Sequence, residues 1–439
     1  MRSRLAILAA TIALVLMLTS LVPASRAHDS AGVHSSSNAL LGGVNVLDVG
    51  PLPLHEADEA IAQAHELHAS LVRTEVPWSV LEPDAPGQVS AASLAFMDRL
   101  VDQAGADGMR LIFEVSSSPC WASAAPPALL KACQPGQTTR ANGWPPTNPQ
   151  DYAAFVGYLA ERYGNHLAAI EVWNEPDYIT EQYFAGPHKA SRYAALLRSA
   201  YPAIKRVDPR VTVLAGSLVG SNGRFLRALY AAGIKGHYDA LAVHFYTLTL
   251  TSVRAIREVQ LAHGDHKPLW LDEFGWSSCW PRYRIQEEQS CVTPGIQATN
   301  ITNVFRELAQ SPYVAAAVIY ELQDTPEEDF GVLTVDGRHK PAFSALRAVL
   351  ASPRGTPSAP TLTLRRHGSR LVASGSGPVG DYMDLEAFRA NALRYRTSFI
   401  LSRFNSYSIT LPSRLGTSGA TVRVFQYWEG PGLAAQLSG

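Results

Sequence analysis

Apolar residues in this chain fall into short uninterrupted runs separated by longer stretches with helical spacing. The runs are 40–46, 71–75, 110–115, 168–173, 211–216, 240–245, 268–273 and 314–320, and each predicts a strand buried on both faces. Positions 55–68, 91–106, 150–164, 188–206, 222–233, 252–262, 295–310 and 340–350 carry apolar residues three and four apart, which predicts helices with one buried stripe. Eight strand–helix units over about 310 residues are the arithmetic of a (β/α)8 TIM barrel, an α/β fold, here spanning 39–351. An open doubly wound sheet is the competing architecture. It would carry a Gly-rich phosphate turn after its first strand, and Leu41-Gly42-Gly43-Val44-Asn45 lacks the G-x-G-x-x-G spacing.

Residues 352–360, rich in Pro and Ser, read as a linker, and beyond them the period changes from helical to two. Segments 361–365, 370–374, 395–401, 406–411 and 421–427 predict strands between Gly and Ser turns, while 384–392 fits either a helical turn or more sheet. Short strands of this kind predict a small C-terminal β-sandwich domain over 361–439. At the opposite end, Arg2 and Arg4 precede an apolar stretch from Leu5 to Val22, and Ser25-Arg26-Ala27 offers a small-x-small cleavage site. This is the pattern of a signal peptide over 1–27, followed by a polar segment, 28–38, expected to be disordered. The expectation is a secreted or extracytoplasmic protein with no stable membrane partner. Without cleavage the same stretch is long enough to act as an anchor.

The net charge of the 439 residues is −1, which provides no field to hold nucleic acid, so no nucleic-acid partner is expected. The oligomeric state is left open. Four cysteines occur, Cys120, Cys133, Cys279 and Cys291, and an even count in an exported chain suggests disulfides. Three connectivities exist. The local one, Cys120–Cys133 with Cys279–Cys291, is preferred because each pair flanks a Pro-rich or polar loop, and each bridge would stabilise by about 3 kcal/mol. Four free buried thiols are the alternative. No Cys-x-x-Cys or paired His spacing accompanies them, and His65-Glu66-Leu67-His68 is one residue short of the zinc motif H-E-x-x-H. No metal and no cofactor are therefore expected.

In a parallel barrel the chemistry sits at the C-terminal ends of the strands. The fourth run ends Trp173-Asn174-Glu175-Pro176 and the seventh Asp272-Glu273-Phe274-Gly275-Trp276. Both put a Glu just past an apolar run, facing the barrel mouth. Two carboxyl groups converging from different strands are the minimal equipment for cleaving an acetal: one protonates the leaving oxygen, the other attacks or stabilises the anomeric carbon. Asp272 precedes the second Glu and, by strand alternation, should point to the opposite side.

These residues carry a resemblance. Trp173-Asn174-Glu175-Pro176 looks like the strand-four signature of the clan A glycoside hydrolases, and the turn at Glu273 matches that clan's strand-seven nucleophile. Within the clan the chain most resembles glycoside hydrolase family 39 and neighbouring cellulase-like glycosidases. Segments 72–79, 238–246 and 329–333 add to the likeness, which covers about residues 40–350. It implies a retaining O-glycosyl hydrolase acting on an oligo- or polysaccharide, with Glu175 as general acid/base and Glu273 as nucleophile. Asn174 would bind the sugar 2-hydroxyl, Arg73 and Tyr246 would hold Glu273, and His244 would line the same wall. A transglycosylase would use the same two Glu residues, and a non-catalytic carbohydrate-binding barrel is the further alternative. Strand eight ends Ile319-Tyr320-Glu321, where many clan relatives carry Trp.

Sugars stack their C–H faces on aromatic rings. Trp78, Trp121, Trp276 and Trp280 follow strand ends and are candidate subsite platforms, whereas Trp173 and Trp270 lie within runs and are expected to pack. Glu75, Glu114 and Asp324 are candidate polar groups of a subsite.

Overall fold

The computed structural model describes residues 40–46, 48–219, 222–246, 251–280, 291–308, 311, 313–351, 360–377, 382–401, 406–426 and 434–438. The expected signal segment, the polar segment 28–38 and all of the linker but Pro360 lie outside them. Eight parallel strands close into a barrel in sequence order. They are β1 (Leu41–Asn45), β2 (Leu71–Pro77), β3 (Arg110–Ser116), β4 (Leu167–Val172), β5 (Thr212–Leu218), β6 (Ala240–Phe245), β7 (Leu269–Phe274) and β8 (Val314–Ile319). β1 pairs with both β2 and β8, which leaves no open edge and excludes the doubly wound sheet.

Each strand is followed by a principal helix: α1 (Leu54–Glu66), α2 (Ala91–Ala106), α3 (Pro149–Tyr163), α4 (Lys189–Val207), α5 (Arg224–Ala231), α6 (Thr251–Ala262), α7 (Pro294–Leu308) and α8 (Pro341–Leu350). Their limits follow local chemistry. Ser90 starts α2 by accepting a hydrogen bond from the Ser93 N–H, and Asn148 starts α3 by accepting one from Gln150, with Pro149 in the first turn. In α1 the buried residues are Ala57, Ala60, Ile61 and Ala64, the spacing of a stripe turned toward the sheet. Leu71, Ile112, Ala169, Leu214, Ala240, Trp270, Ala316 and Val318 fill the barrel interior, so the floor under the site is packed and dry.

The C-terminal part is a β-sandwich of two antiparallel sheets. Its strands are β9 (Thr363–His367), β10 (Arg370–Ser376), β11 (Tyr382–Arg389), β12 (Ala392–Ile400), β13 (Ser406–Thr410), β14 (Ala420–Gln426) and β15 (Ala435–Ser438). The sheet orders are β13-β10-β9 and β12-β11-β14-β15, and residues of both sheets, Leu371 and Ala373 with Leu385, Val422 and Val424, share one core. Of the ambiguous segment 384–392, residues 384–389 are strand, paired on both sides by β12 and β14, and Ala390-Asn391 turn the chain into β12. Arg254 of α6 reaches this domain, with Nη2 3.4 Å from Ser398 Oγ and 3.8 Å from Asp384 Oδ1. Both local disulfides form. They staple the loops after β3 and β7.

Candidate active site

β4 ends at Val172, and the chain then turns sharply. Trp173 (φ 70°) and Glu175 (φ 41°) occupy the left-handed region, which residues bearing a side chain enter at a cost. Fixed partners hold them there. The Trp173 backbone N–H donates to the Val115 carbonyl (3.1 Å) and its indole N–H to the Tyr183 carbonyl (2.7 Å). The Glu175 N–H donates to Ser217 Oγ (3.2 Å), and the Ser217 hydroxyl donates to Asn174 Oδ1 (3.2 Å). Ser217 of β5 thus sets both the backbone of Glu175 and the amide of Asn174.

β7 departs from strict alternation. Its ladder shifts register against β6 between Ala242 and His244, and against β8 between Leu271 and Phe274. The expectation for Asp272 is corrected here. It does not point away from the site; it is fully buried inside the barrel, its carboxyl grouped with Glu171 and His244. Gly275 follows the shift, and a Cβ at that position would collide with the Tyr320 carbonyl oxygen of the β8 end.

These two turns bring the candidate residues together around Arg73 and His244. Arg73 of β2 is buried. Its Nε lies 2.8 Å from Glu171 Oε2 and its Nη2 3.3 Å from Glu171 Oε1, while Nη1 donates to Asn45 Oδ1 (2.8 Å) and Glu273 Oε2 (3.1 Å). Nη2 also reaches Asn174 Oδ1 at 3.5 Å. His244 Nδ1 shares a hydrogen bond with Glu175 Oε1 at 2.8 Å and lies 3.5 Å from Glu273 Oε1. The Tyr246 hydroxyl donates to that same oxygen, Glu273 Oε1, opposite the Oε2 that Arg73 holds. One oxygen of Glu175 and one of Glu273 lie within 4.8 Å of each other.

Burial sets the protonation states. Glu175 is pushed up to about 7 by desolvation, which Arg73 partly opposes and Glu171 reinforces. Glu273 is also raised by burial, but Arg73 favours its charged form, and the Tyr246 hydrogen bond does the same. For Glu171, burial raises the carboxyl, but Arg73 outweighs this and holds it below the ordinary range. His244 is lowered by burial, which keeps the imidazole neutral.

Two residues of this network, Asn45 and Ser217, carry no sequence signal that singles them out, and a third, Glu171, was missed. Glu171 lies inside an apolar run, four residues before Glu175. A charged residue within a run buried on both faces is itself the clue, because it needs a partner such as Arg73.

Other candidates take different places. Trp78 is fully buried, its indole N–H bound to Glu82 Oε2 at 2.7 Å and its ring stacked on Phe155. Trp276 is 1% exposed and packs edge-on against Phe245 and Phe274. Both are corrected to core residues, because a ring without free surface cannot stack on a sugar. Trp121 is half-buried, edge-on to Trp78, and its indole donates to the Glu82 carbonyl. Trp280 is exposed. Glu114 is fully buried and hydrogen-bonded by Ser116, and Asp324 is ion-paired with Lys340 at 2.6 Å, so neither offers a free face to substrate; Glu75 is half-buried. Two triads, Glu175–His244–Glu273 and Glu171–His244–Asp272, have metal-ligand chemistry at close range. Arg73 already supplies the positive charge to Glu171 and Glu273, and the 2.8 Å Glu175–His244 hydrogen bond occupies the space between the first two ligands.

No curated protein matches the chain. Among solved structures, a family 39 glycoside hydrolase from Bacteroides cellulosilyticus WH2 is similar, with a TM-score of 0.54 and 18% identity, covering 89% of this chain and 81% of the other. A monomeric β-xylosidase from Caulobacter crescentus CB15 gives 0.52 and 16%, covering 89% and 96%. A GH5_18 protein from Streptomyces cattleya in complex with GlcNAc gives 0.52 and 17%, covering 74% and 83%. At these identities the likeness is one of fold. The sequence model named Cellulase (glycosyl hydrolase family 5) matches residues 35–304, more than half of the chain. With a closed (β/α)8 barrel and two carboxyl groups converging at its mouth, the chain belongs to the clan A glycoside hydrolases, in the cellulase family, glycosyl hydrolase family 5.

Proposed function

We propose that this chain is an exported retaining glycoside hydrolase that cleaves O-glycosidic bonds in an oligo- or polysaccharide, with Glu175 as acid/base and Glu273 as nucleophile. The observation that carries this reading is the approach of the two carboxyl groups to within 4.8 Å. Retaining pairs stand about 5–5.5 Å apart, whereas inverting pairs need about 6.5–9.5 Å to admit a water. The environments also differ in the required sense. Glu175, raised to about 7, keeps a proton to give; Glu273 faces Arg73, which favours its anion.

In the first step a Glu273 oxygen bonds to the anomeric carbon while the bond to the leaving oxygen breaks and Glu175 protonates that oxygen. The Asn174 amide, its Oδ1 engaged by Ser217 and Arg73, has N–H donors for the sugar 2-hydroxyl. Once Glu273 is an ester its charge is gone, and with it the repulsion that disfavoured a charged Glu175. Glu175 then takes a proton from water, which attacks the anomeric carbon and releases Glu273. Two disulfides support folding in an oxidising compartment, and no described helix is long and apolar enough to cross a membrane.

The test is trapping. A panel of 2-deoxy-2-fluoro glycosides should inactivate the protein and leave the label on Glu273, read by peptide mass spectrometry, and NMR should show the first product with the anomeric configuration of the substrate. A label on another residue, or an inverted product, would refute the assignment.

A further inference from the structure

Asp272 and His244 Nε2 are buried; Asp272 Oδ1 lies 3.6 Å from Nε2, which has no hydrogen-bond partner among the described residues, and the Asp272 carboxyl also interacts with the neighbouring Glu171. Asp272 is fully buried, and the mechanism above does not use it. The cation of its neighbourhood, Arg73, is already engaged by Glu171, Glu273 and Asn45. A charged Asp272 beside the Glu171 carboxylate would be a second buried anion with no cation of its own, an expensive arrangement. The groups around the pair are Arg73 on β2, Glu171 and Glu175 at β4, Asp177 in the turn beyond, and Glu273 on β7.

We propose that Asp272 is a positioning residue: it stays protonated, donates that proton as a hydrogen bond to His244 Nε2, and so fixes the tautomer whose Nδ1–H points at Glu175. The inference rests on the reading of Glu175 as acid/base. The physical chain is short. Nε2 can accept only as a bare lone pair, and a bare lone pair tolerates a carboxylic acid opposite it but not a carboxylate. Closing 3.6 Å to hydrogen-bond length takes a small rotation of the carboxyl. His244 then donates to Glu175 Oε1 and leaves Oε2 free to carry the proton toward the leaving oxygen. In the reverse arrangement, an ionised Asp272 would take Nε2–H, and Nδ1 would draw the Glu175 proton away from the substrate. Burial favours the first: it raises Asp272 well above the ordinary carboxylate range, with Glu171 adding to the rise, and lowers His244.

The decisive measurement is the nitrogen-15 spectrum of the His244 ring in the full chain near neutral pH, assigned by difference against His244→Gln. The expected result is a protonated Nδ1 and a bare Nε2. A protonated Nε2, an imidazolium, or an Nε2 bound to a cation that a chelator removes would overturn the proposal. Kinetics give a second arm, with phenyl and dinitrophenyl glycosides of the sugar that labels Glu273. Asp272→Ala should slow phenyl glycoside cleavage by about tenfold or more, part of the general-acid contribution, and leave the dinitrophenyl compound, which needs no protonation, nearly unaffected. Asp272→Asn, whose amide still donates to Nε2, should restore the phenyl rate. Equal losses on both substrates would indicate a structural role only and refute the inference. If Asp272→Ala does not fold, the wild-type spectrum and Asp272→Asn still decide it. Glu175→Gln is the control: if it fails to separate the two substrates, the acid/base reading fails. If it separates them and Asp272→Ala does not, this inference fails alone.

Discussion

Arg73 gathers four acceptors around one guanidinium: Glu171, Asn45, Glu273 and Asn174. A planar fork can serve them together, which a lysine ammonium cannot. Arg73→Met should therefore destabilise the fold by about 3–5 kcal/mol, because it strands the Glu171 carboxylate, and urea unfolding would show it. A loss under about 1 kcal/mol, the worth of an exposed ion pair, would contradict this account. Glu175 makes a prediction of opposite kind. Its proton is needed for the first step and its value stands at about 7, so kcat/KM should fall as pH rises through that point. In Glu175→Gln, assayed on a dinitrophenyl glycoside, that alkaline limb should vanish from the pH profile.

Between the single residue and the fold, two turns decide the site. The turn after β4 is legible in the chain itself, because Trp173-Asn174-Glu175-Pro176 closes an apolar run and its neighbours are close in sequence. Its support is not legible: Ser217 lies 42 residues beyond Glu175. Ser217→Ala should lower activity more than stability, since it frees the Glu175 backbone and the Asn174 amide together. A loss of about 1–3 kcal/mol is the upper range for such hydrogen bonds in unfolding measurements. β7 misleads a linear reader: Trp270 and Asp272, two apart, both face the barrel interior, and the register irregularities against β6 and β8 bring Glu273 to the site beside them. The tryptophans separate at this scale too. Trp78→Ala should cost about 3–5 kcal/mol as a core cavity, whereas Trp121→Ala, on a half-buried ring, should cost less.

Among the described residues at the site end of the barrel interior, the acids clustered around Arg73 outnumber that one guanidinium. Glu75, Glu114 and Asp272 are all raised well above the ordinary range by burial, with neighbouring carboxylates adding to each. Each holds a proton in the folded state that the unfolded chain releases near its ordinary value. Stability from these groups is therefore complete below that value and is lost as pH rises toward the elevated folded values. Glu114→Gln removes one such proton, so the melting temperature should decline less steeply with rising pH than in the natural chain. An unchanged slope would show that Glu114 is charged in the fold. The sandwich meets the barrel through Arg254, and Arg254→Ala tests whether the two unfold as one cooperative transition by calorimetry.

The chain alone pointed to the eight alternating units, the later switch to period two, a preference for pairing nearby cysteines and two glutamates at the ends of their strands. All of these follow from covalent periodicity and from groups close in sequence. Only the tertiary structure decided that Asp272 turns inward, that Trp78 and Trp276 are core, and that Arg73 serves Glu171 as well as Glu273. Those outcomes depend on barrel closure and ladder register, which bring together groups 98 and 200 residues apart. In that dry interior, desolvation and a shared cation, acting together, set which acids keep their protons.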